Sequence, residues 1–154
     1  MKKILFYFCA LTTLTIFTTS CNKDADVDDV VKTNAELVIG QWKTQAITIT
    51  PAIPVIGADW FATLKECQKD DILIFEANDV FKLDNGTEKC DATSEQTTVG
   101  EYTLNAEETI MNTSNEGNTK EYRIDEATDA TLTLGEVIEY DGQEYRLTHT
   151  MVKN

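Results

Sequence analysis

The spacing of apolar residues after residue 66 constrains the fold most strongly. Apolar and polar side chains alternate there in short runs, and no run has the 3.6-residue period of a helix. Turn residues separate the runs, for example at Asn78-Asp79 and Tyr140-Asp141-Gly142. With one extended run before them, the pattern predicts eight strands, at about residues 38–50, 71–77, 80–84, 98–104, 109–114, 119–126, 130–140 and 143–152.

The connections between these strands are short enough to be hairpins, so neighbouring strands are expected to pair in an antiparallel way and in sequence order. Eight strands in such a meander close into a barrel, which removes the exposed sheet edges. The fold class predicted is therefore all-β, an eight-stranded antiparallel up-and-down barrel. An immunoglobulin-like sandwich is the alternative, and it would need Greek-key crossings, of which only the loop at 91–98 gives any sign.

The first strand changes face part-way along its length. Trp42 lies on one face, whereas Ile47 and Ile49 lie on the face of Lys43. A slip of one residue is typical of a bulge or a sharp bend, which strands need when they wrap around a small barrel.

Beyond this strand, the sequence predicts a break and a short helical turn. Pro51 and Pro54 are expected to end the strand, and residues 57–64 to form the turn with Asp59 as its N-cap. Its buried side would consist of Trp60, Phe61 and Leu64.

The first twenty residues have the organisation of a secretory signal peptide. Lys2-Lys3 precede an apolar run from Ile4 to Phe17, which is shorter than the roughly 20 residues that a membrane-spanning helix needs. Thr18-Thr19-Ser20-Cys21 resembles a lipobox, with Thr18 where leucine is preferred. We expect residues 1–20 to be removed and Cys21 to carry acyl chains such as palmitate. An ordinary secretory signal with a chance cysteine is the alternative.

Residues 21–36 are polar and acidic without a sustained period, which predicts a flexible linker between the lipid and a folded domain at 37–154. The aspartates at 24, 26, 28 and 29 have the spacing of a calcium loop. Such a loop needs Gly at its sixth position and Glu at its twelfth, where this chain has Asp29 and Ala35. A solvated linker is therefore favoured.

The charge of the chain bears on its partners. The formal net charge is −14, and removing Lys2 and Lys3 with the leader lowers it to −16. No basic face is available to neutralise phosphates, so nucleic acid is not an expected partner. Repulsion from anionic lipids likewise leaves the acyl group at Cys21 to hold a monomeric protein at the membrane of the cell envelope.

The chain has four cysteines, of which Cys9 falls in the leader and Cys21 would be acylated. Cys67 and Cys90 remain, and export to an oxidising compartment favours a disulfide between them. Closing a loop of this length contributes about 3 kcal/mol in the chain-entropy model. A zinc site would need four ligands at short spacing, and His149 is the only histidine in the sequence.

No constellation of catalytic residues can be proposed, and no cofactor or metal is expected. His149 has no nucleophile or orienting partner in a recognisable motif, and by its period it faces the barrel interior as a core residue. Asp70 and Asp71 are adjacent, so they point to opposite faces of a strand and are expected to cap its start or to be solvated.

A barrel of this size can hold one small hydrophobic or amphipathic ligand. The candidate lumen-lining residues are Trp42, Phe75, Phe81, Tyr102, Tyr122, Leu134, Tyr145 and Leu147, with Leu73, Leu83, Leu104, Ile124, Leu132 and Met151 on the same inward faces. So many large side chains also allow the opposite outcome, a filled barrel that presents its loops to a protein partner.

Several of these features occur together in one family. The Gly40-Gln41-Trp42 opening, the stretch Cys67-Gln68-Lys69-Asp70-Asp71, Lys89-Cys90-Asp91 and Gly100-x-Tyr102-x-Leu104 resemble the lipocalin-like domain lipoproteins of Bacteroidetes-type bacteria. The resemblance covers most of residues 36–152. It implies a calycin-like barrel in an outer-membrane lipoprotein with a Cys67–Cys90 disulfide. Lys23-Asp24-Ala25-Asp26 also resembles the acidic tag of surface-exposed lipoproteins in such bacteria, with the periplasmic face as the alternative.

Overall fold

A computed structural model describes residues 31–115 and 117–154 of the chain. The expected signal peptide at 1–20, the acylated Cys21 and most of the linker lie outside the described residues. Within them, no helix is long and apolar enough to cross a membrane.

The described chain consists mainly of strands. They are β1 (Gly40–Ile53), β2 (Gly57–Asp59), β3 (Ile72–Glu76), β4 (Val80–Asp84), β5 (Thr97–Leu104), β6 (Ile110–Asn115), β7 (Asn118–Ala127), β8 (Thr131–Tyr140) and β9 (Gln143–Lys153). Two short α-helices, α1 (Asn34–Val38) and α2 (Glu66–Lys69), and a 3-10 helix at Phe61–Thr63 complete it.

The strands from β3 to β9 pair with their neighbours in sequence order, and every pairing is antiparallel. β1 pairs with β3 on one side and with β9 on the other, which closes the sheet. β2 is a three-residue strand added to β1 outside the closed ring. The predicted eight-stranded up-and-down barrel is therefore confirmed.

The hairpin turns use residues that tolerate a left-handed backbone. Asn78 and Asp79 have φ angles of 67° and 65° between β3 and β4, and Asp141 and Gly142 have 53° and 71° between β8 and β9. Asn, Asp and Gly adopt this conformation at low cost, and paired residues of this kind give the twist that hairpins need.

The predicted change of face in the first strand is a β-bulge. The register between β1 and β9 shifts between Thr44, opposite Met151, and Ala46, opposite Thr150. The extra residue keeps Trp42 and Ile49 both buried, 0% and 2% exposed, on either side of the slip. One strand thus supplies the interior at both ends of the barrel.

Helix α1 covers one end of the barrel, which we call the closed end. Thr33 and Glu36 form a capping box, in which each side chain accepts a hydrogen bond from the other residue's backbone N–H. The helix is tied to the β5–β6 turn, because Glu108 accepts hydrogen bonds from Ala35 N and Asn34 Nδ2 at 2.9 Å each. Residues 33–36, expected in the flexible linker, therefore belong to the folded domain.

Trp42 fills the closed end. Its indole Nε1 donates a hydrogen bond to the carbonyl of Val38 in α1 at 2.7 Å, and Lys153 Nζ lies 5.2 Å from the ring centroid. Burial of a side chain this large contributes on the order of 4 kcal/mol. Gly40 has no side chain to block this arrangement, since a Cβ there would lie 2.8 Å from Lys153 Cε.

Two clusters of apolar residues occupy the interior. The larger, the main core, extends from the closed end and consists of Val38, Trp42, Phe75, Phe81, Tyr102, Met111, Ile124, Leu132, Leu134 and Met151. The smaller, the upper cluster, lies towards the opposite end and consists of Ile47, Ile49, Ile53, Tyr145 and Leu147. Trp60, Phe61 and Leu64 pack against the upper cluster, as the sequence predicts.

The segment between β1 and β3 differs from its expected form. Pro51 was expected to end β1, but the strand continues to Ile53. The pairing of β1 with β9 ends at Thr50, and beyond that point β1 pairs only with β2, so one edge of the strand is free at Pro51. A proline at a strand edge removes no ladder hydrogen bond. Residues 57–59, expected in a helical turn, form β2, although the Asp59 carboxylate does accept a hydrogen bond from Ala62 N at 3.0 Å.

The disulfide expected between Cys67 and Cys90 is present. Cys67 lies in α2, before β3, and Cys90 lies in the loop between β4 and β5. The bond joins two long connections at the end of the barrel opposite α1, which we call the open end. It therefore holds the loops beside that opening together.

Candidate functional site

The barrel wall is incomplete between β7 and β8. Their pairing ends at Arg123 opposite Gly135, although β7 extends back to Asn118 and β8 extends forward to Tyr140. Towards the open end the two strands keep only their outer partners, β6 and β9. We call this part of the wall the β7–β8 gap.

A cavity of about 320 Å³ lies in the barrel towards the open end. Its lining has an apolar side from β3 and β4 and a largely polar side from β6 and β7: Leu73, Phe81, Leu83, Thr113, Asn115, Asn118, Lys120 and Tyr122. Phe81 also belongs to the main core, so the core forms the base of this cavity. Its volume is at the lower end of the range of small-molecule pockets.

The polar side of the cavity belongs to a network of side chains on β7, β8 and β9. Lys120 Nζ donates to Glu136 Oε1 at 3.0 Å, and this contact spans the β7–β8 gap. The other carboxylate oxygen of Glu136 lies 3.3 Å from His149 Nε2. The His149 ring packs edge-on against Tyr122, with the ring centroids 5.9 Å apart.

The charge states of this network follow from its contacts. Burial alone would raise the pKa of Glu136, but its interactions with His149 and Lys120 outweigh burial and hold the pKa below its ordinary value. Burial opposes the charge of Lys120, yet Tyr122 and Glu136 outweigh it and raise the pKa of Lys120. Lys120 is therefore a cation and Glu136 an anion at neutral pH.

Asn115, which lines the same cavity, has one side-chain atom without a hydrogen-bond partner. Its Nδ2 donates to Thr98 Oγ1 at 3.1 Å, while its Oδ1 is buried without a hydrogen-bond partner within the protein. A buried amide oxygen without a partner costs about 1–3 kcal/mol. Asn115 thus carries an uncompensated polar atom beside the cavity.

The two adjacent aspartates before β3 have different roles. Asp70 Oδ2 accepts hydrogen bonds from Thr87 N, Thr87 Oγ1 and Glu88 N at 2.7, 2.9 and 3.1 Å, which fix the β4–β5 loop and lower the pKa of Asp70. Asp71 has a buried Oδ1 without a partner. Burial, with repulsion from Asp70 and Asp84, raises the pKa of Asp71 to about 6.

The predicted lumen residues separate into three groups. Phe81 and Tyr122 line the cavity. Trp42, Phe75, Tyr102 and Leu134 are buried in the main core, and Tyr145 and Leu147 are buried in the upper cluster. Of the remaining inward residues, Leu73 and Leu83 line the cavity. Most of the candidates therefore fill the barrel, and only part of the lumen is open.

The sequence reasoning missed Lys120, which lines the cavity, and Glu136, which pairs with it. Lys120 is two residues before Tyr122 and Glu136 is two residues after Leu134, so both occupy inward positions by the period of their strands. They were not among the predicted lumen residues, because only apolar and aromatic side chains were considered as lining. No group of three or more His, Cys, Asp or Glu side chains within 31–115 and 117–154 is arranged to hold a metal ion.

Comparison with known proteins identifies the family. Residues 38–134 match the family described as "Lipocalin-like domain". No curated protein gives a significant match. Among solved structures, bovine odorant-binding protein in complex with undecanal is 15% identical, with a TM-score of 0.46, over 80% of this chain and 74% of the other. Its complex with a selenium-containing odorant is 17% identical, with a TM-score of 0.45, over 80% and 73%.

The family match covers well over half of the sequence, from the end of α1 to the middle of β8. The chain therefore belongs to the lipocalin-like domain family. Its barrel and its disulfide agree with what the resemblance of the sequence implies.

Asp71 should make the stability of the barrel depend on pH. The folded-state pKa of about 6 lies above the ordinary value of 3.8, so the folded chain binds this proton more tightly than the unfolded chain. The contribution of Asp71 to stability therefore falls as the pH rises through this interval. Replacing it with Asn should raise the melting temperature by roughly 3 °C at pH 7.5 and leave it unchanged near pH 3.5.

Thermal melts followed by circular dichroism at both pH values measure this effect. Asp91→Asn is a matched control, because the exposed Asp91 carboxyl accepts hydrogen bonds from Thr93 that lower its pKa. The pKa of Asp91 is therefore shifted in the opposite direction to that of Asp71. A lower melting temperature for Asp71→Asn at pH 7.5 would show that the charged carboxylate is stabilising, against the expectation.

Proposed function

We propose that the protein is a cell-envelope lipoprotein, anchored to the outer membrane through Cys21, whose barrel binds a small hydrophobic or amphipathic molecule. The observation that supports binding most directly is the cavity above the main core. Leu73, Phe81 and Leu83 provide an apolar surface, and the polar groups opposite them would orient a ligand.

The filled part of the barrel favours a small ligand. The main core occupies the closed end completely, with Trp42, Met111 and Leu132 fully buried. A bound molecule therefore has only the space between Phe81 and the open end. A filled barrel that serves as a protein-interaction module is the alternative function, and it predicts that no small molecule occupies this space.

Protein purified natively from envelope membranes should carry a co-purifying small molecule, detectable by native mass spectrometry. Leu73→Trp should abolish this occupancy, because the larger side chain fills the cavity. Ile74→Trp is the matched control: Ile74 is the next residue of β3, on the opposite face, and does not line the cavity.

Circular dichroism would check that both variants fold, and Leu83→Phe provides a smaller addition to the same cavity. Unmodified protein without any bound molecule, or full occupancy in both Leu73→Trp and Leu83→Phe, would contradict the binding function and favour the interaction module.

The location of the protein is a second part of the proposal. Cys21→Ala should move the protein from the membrane fraction to the soluble fraction of the envelope, because no acyl chain is then attached. Cys9→Ala is the matched control, since Cys9 lies in the expected leader and should not affect partitioning. Immunoblots of fractionated cells measure both, and a membrane-bound Cys21→Ala protein would refute the anchor.

A further inference from the structure

The charge of the cavity lining is opposite to that of the chain. The sequence has 27 acidic residues and 13 basic ones, yet among residues 31–115 and 117–154 no aspartate or glutamate lines the cavity, and Lys120 is the one charged residue of these that does. The other polar lining residues are the neutral Thr113, Asn115, Asn118 and Tyr122. Among the described lining residues, the one charged group that a ligand contacts is therefore the Lys120 ammonium, which is paired with Glu136 behind it.

The carboxylate that pairs with Lys120 approaches it from β8, outside this cavity. Glu136 does not line the cavity, and it contacts His149 at 3.3 Å as well as Lys120 at 3.0 Å. An ammonium group has three N–H donors, and Glu136 accepts from one of them. The Lys120 side chain keeps 56% of its surface exposed, so its ammonium group is accessible to a further acceptor.

Lys120 also lines a second cavity, of about 480 Å³, at the β7–β8 gap. Arg123 and Arg146 line it too, and both form ion pairs with Asp125 on the outer face of the barrel. Glu121 and Glu136 also line this second cavity, so Lys120 lies where the interior of the barrel meets a gap in its wall that carries side chains of both charges. A charged group held there would remain in contact with solvent, which avoids the cost of burying it.

We propose that the cavity is specific for an amphiphile with a single carboxylate head group, which deepens the proposed function and rests on it. Lys120 binds the head group beside the β7–β8 gap, and a short apolar tail lies against Leu73, Phe81 and Leu83. Hydrogen bonds between an ammonium and a carboxylate are roughly twice as strong as neutral ones, so Lys120 is the specificity-determining residue.

Octanoate and 1-octanol test this specificity, because they share a tail and differ in the head group. The protein would be the chain from residue 21 onward with Cys21→Ala, so that no attached acyl chain competes for the cavity. Methyl NMR shifts of Leu73 and Leu83 would report binding at the cavity itself. Octanoate should bind about five- to tenfold more tightly than 1-octanol.

Lys120→Met should remove this preference while 1-octanol still binds, and Lys120→Arg should retain it. Lys82→Met is the matched control, because Lys82 lies on β4 next to Leu83, pairs with Glu76 at 2.6 Å and does not line the cavity. It should leave both affinities unchanged.

Equal affinities for the two probes, with shifts at Leu73 and Leu83, would overturn the carboxylate specificity and leave the proposed binding function standing. A preference for octanoate that survives Lys120→Met would overturn the role of Lys120. Absence of any shift with either probe would contradict the binding function as well.

Discussion

The pairing of β1 with both β3 and β9 is the constraint on which the rest of the structure depends. It closes the barrel, and the bulge between Thr44 and Ala46 lets one strand turn Trp42 into the main core and Ile49 into the upper cluster. Without the extra residue, the alternation of the strand would place one of these two side chains in solvent. The contribution of β1 to both clusters follows from that single irregularity.

The interior is consequently divided rather than uniform. Aromatic and aliphatic side chains fill the closed end under α1, whereas the open end combines a cavity with the unpaired β7–β8 gap. The Lys120–Glu136 ion pair spans that gap in place of backbone hydrogen bonds. A barrel that is stable at one end can in this way carry polar and charged groups at the other.

Much of the fold follows from the sequence, because strand alternation and turn chemistry are local properties. Asn78-Asp79 and Asp141-Gly142 mark turns that the structure contains, and the slip after Trp42 marks the bulge. The capping box of Thr33 and Glu36 is equally local, but the acidic composition around it obscured the helix. In contrast, β2 forms only because β1 offers it an edge, and a three-residue strand has no period of its own.

The site was harder to predict than the fold. The alternation of side chains along a strand identifies which residues face inward. It does not show which of them fill the core and which surround a cavity, because the difference depends on the combined volume of side chains from several strands. Trp42 and Phe81 both face inward, and only Phe81 borders the cavity. Lys120 lies beside the cavity and the gap because the pairing of β7 with β8 ends at Arg123. The end of that pairing depends on how the strands meet in the folded barrel, and not on the local sequence.

A crystal structure of the protein purified natively, without delipidation, tests most directly whether the barrel has a ligand site above a filled core. We expect density for a bound small molecule between Leu83 and Lys120, with the main core unchanged beneath it. A lumen in which side chains occupy that space from Phe81 to the open end, with no room for a ligand, would contradict this expectation.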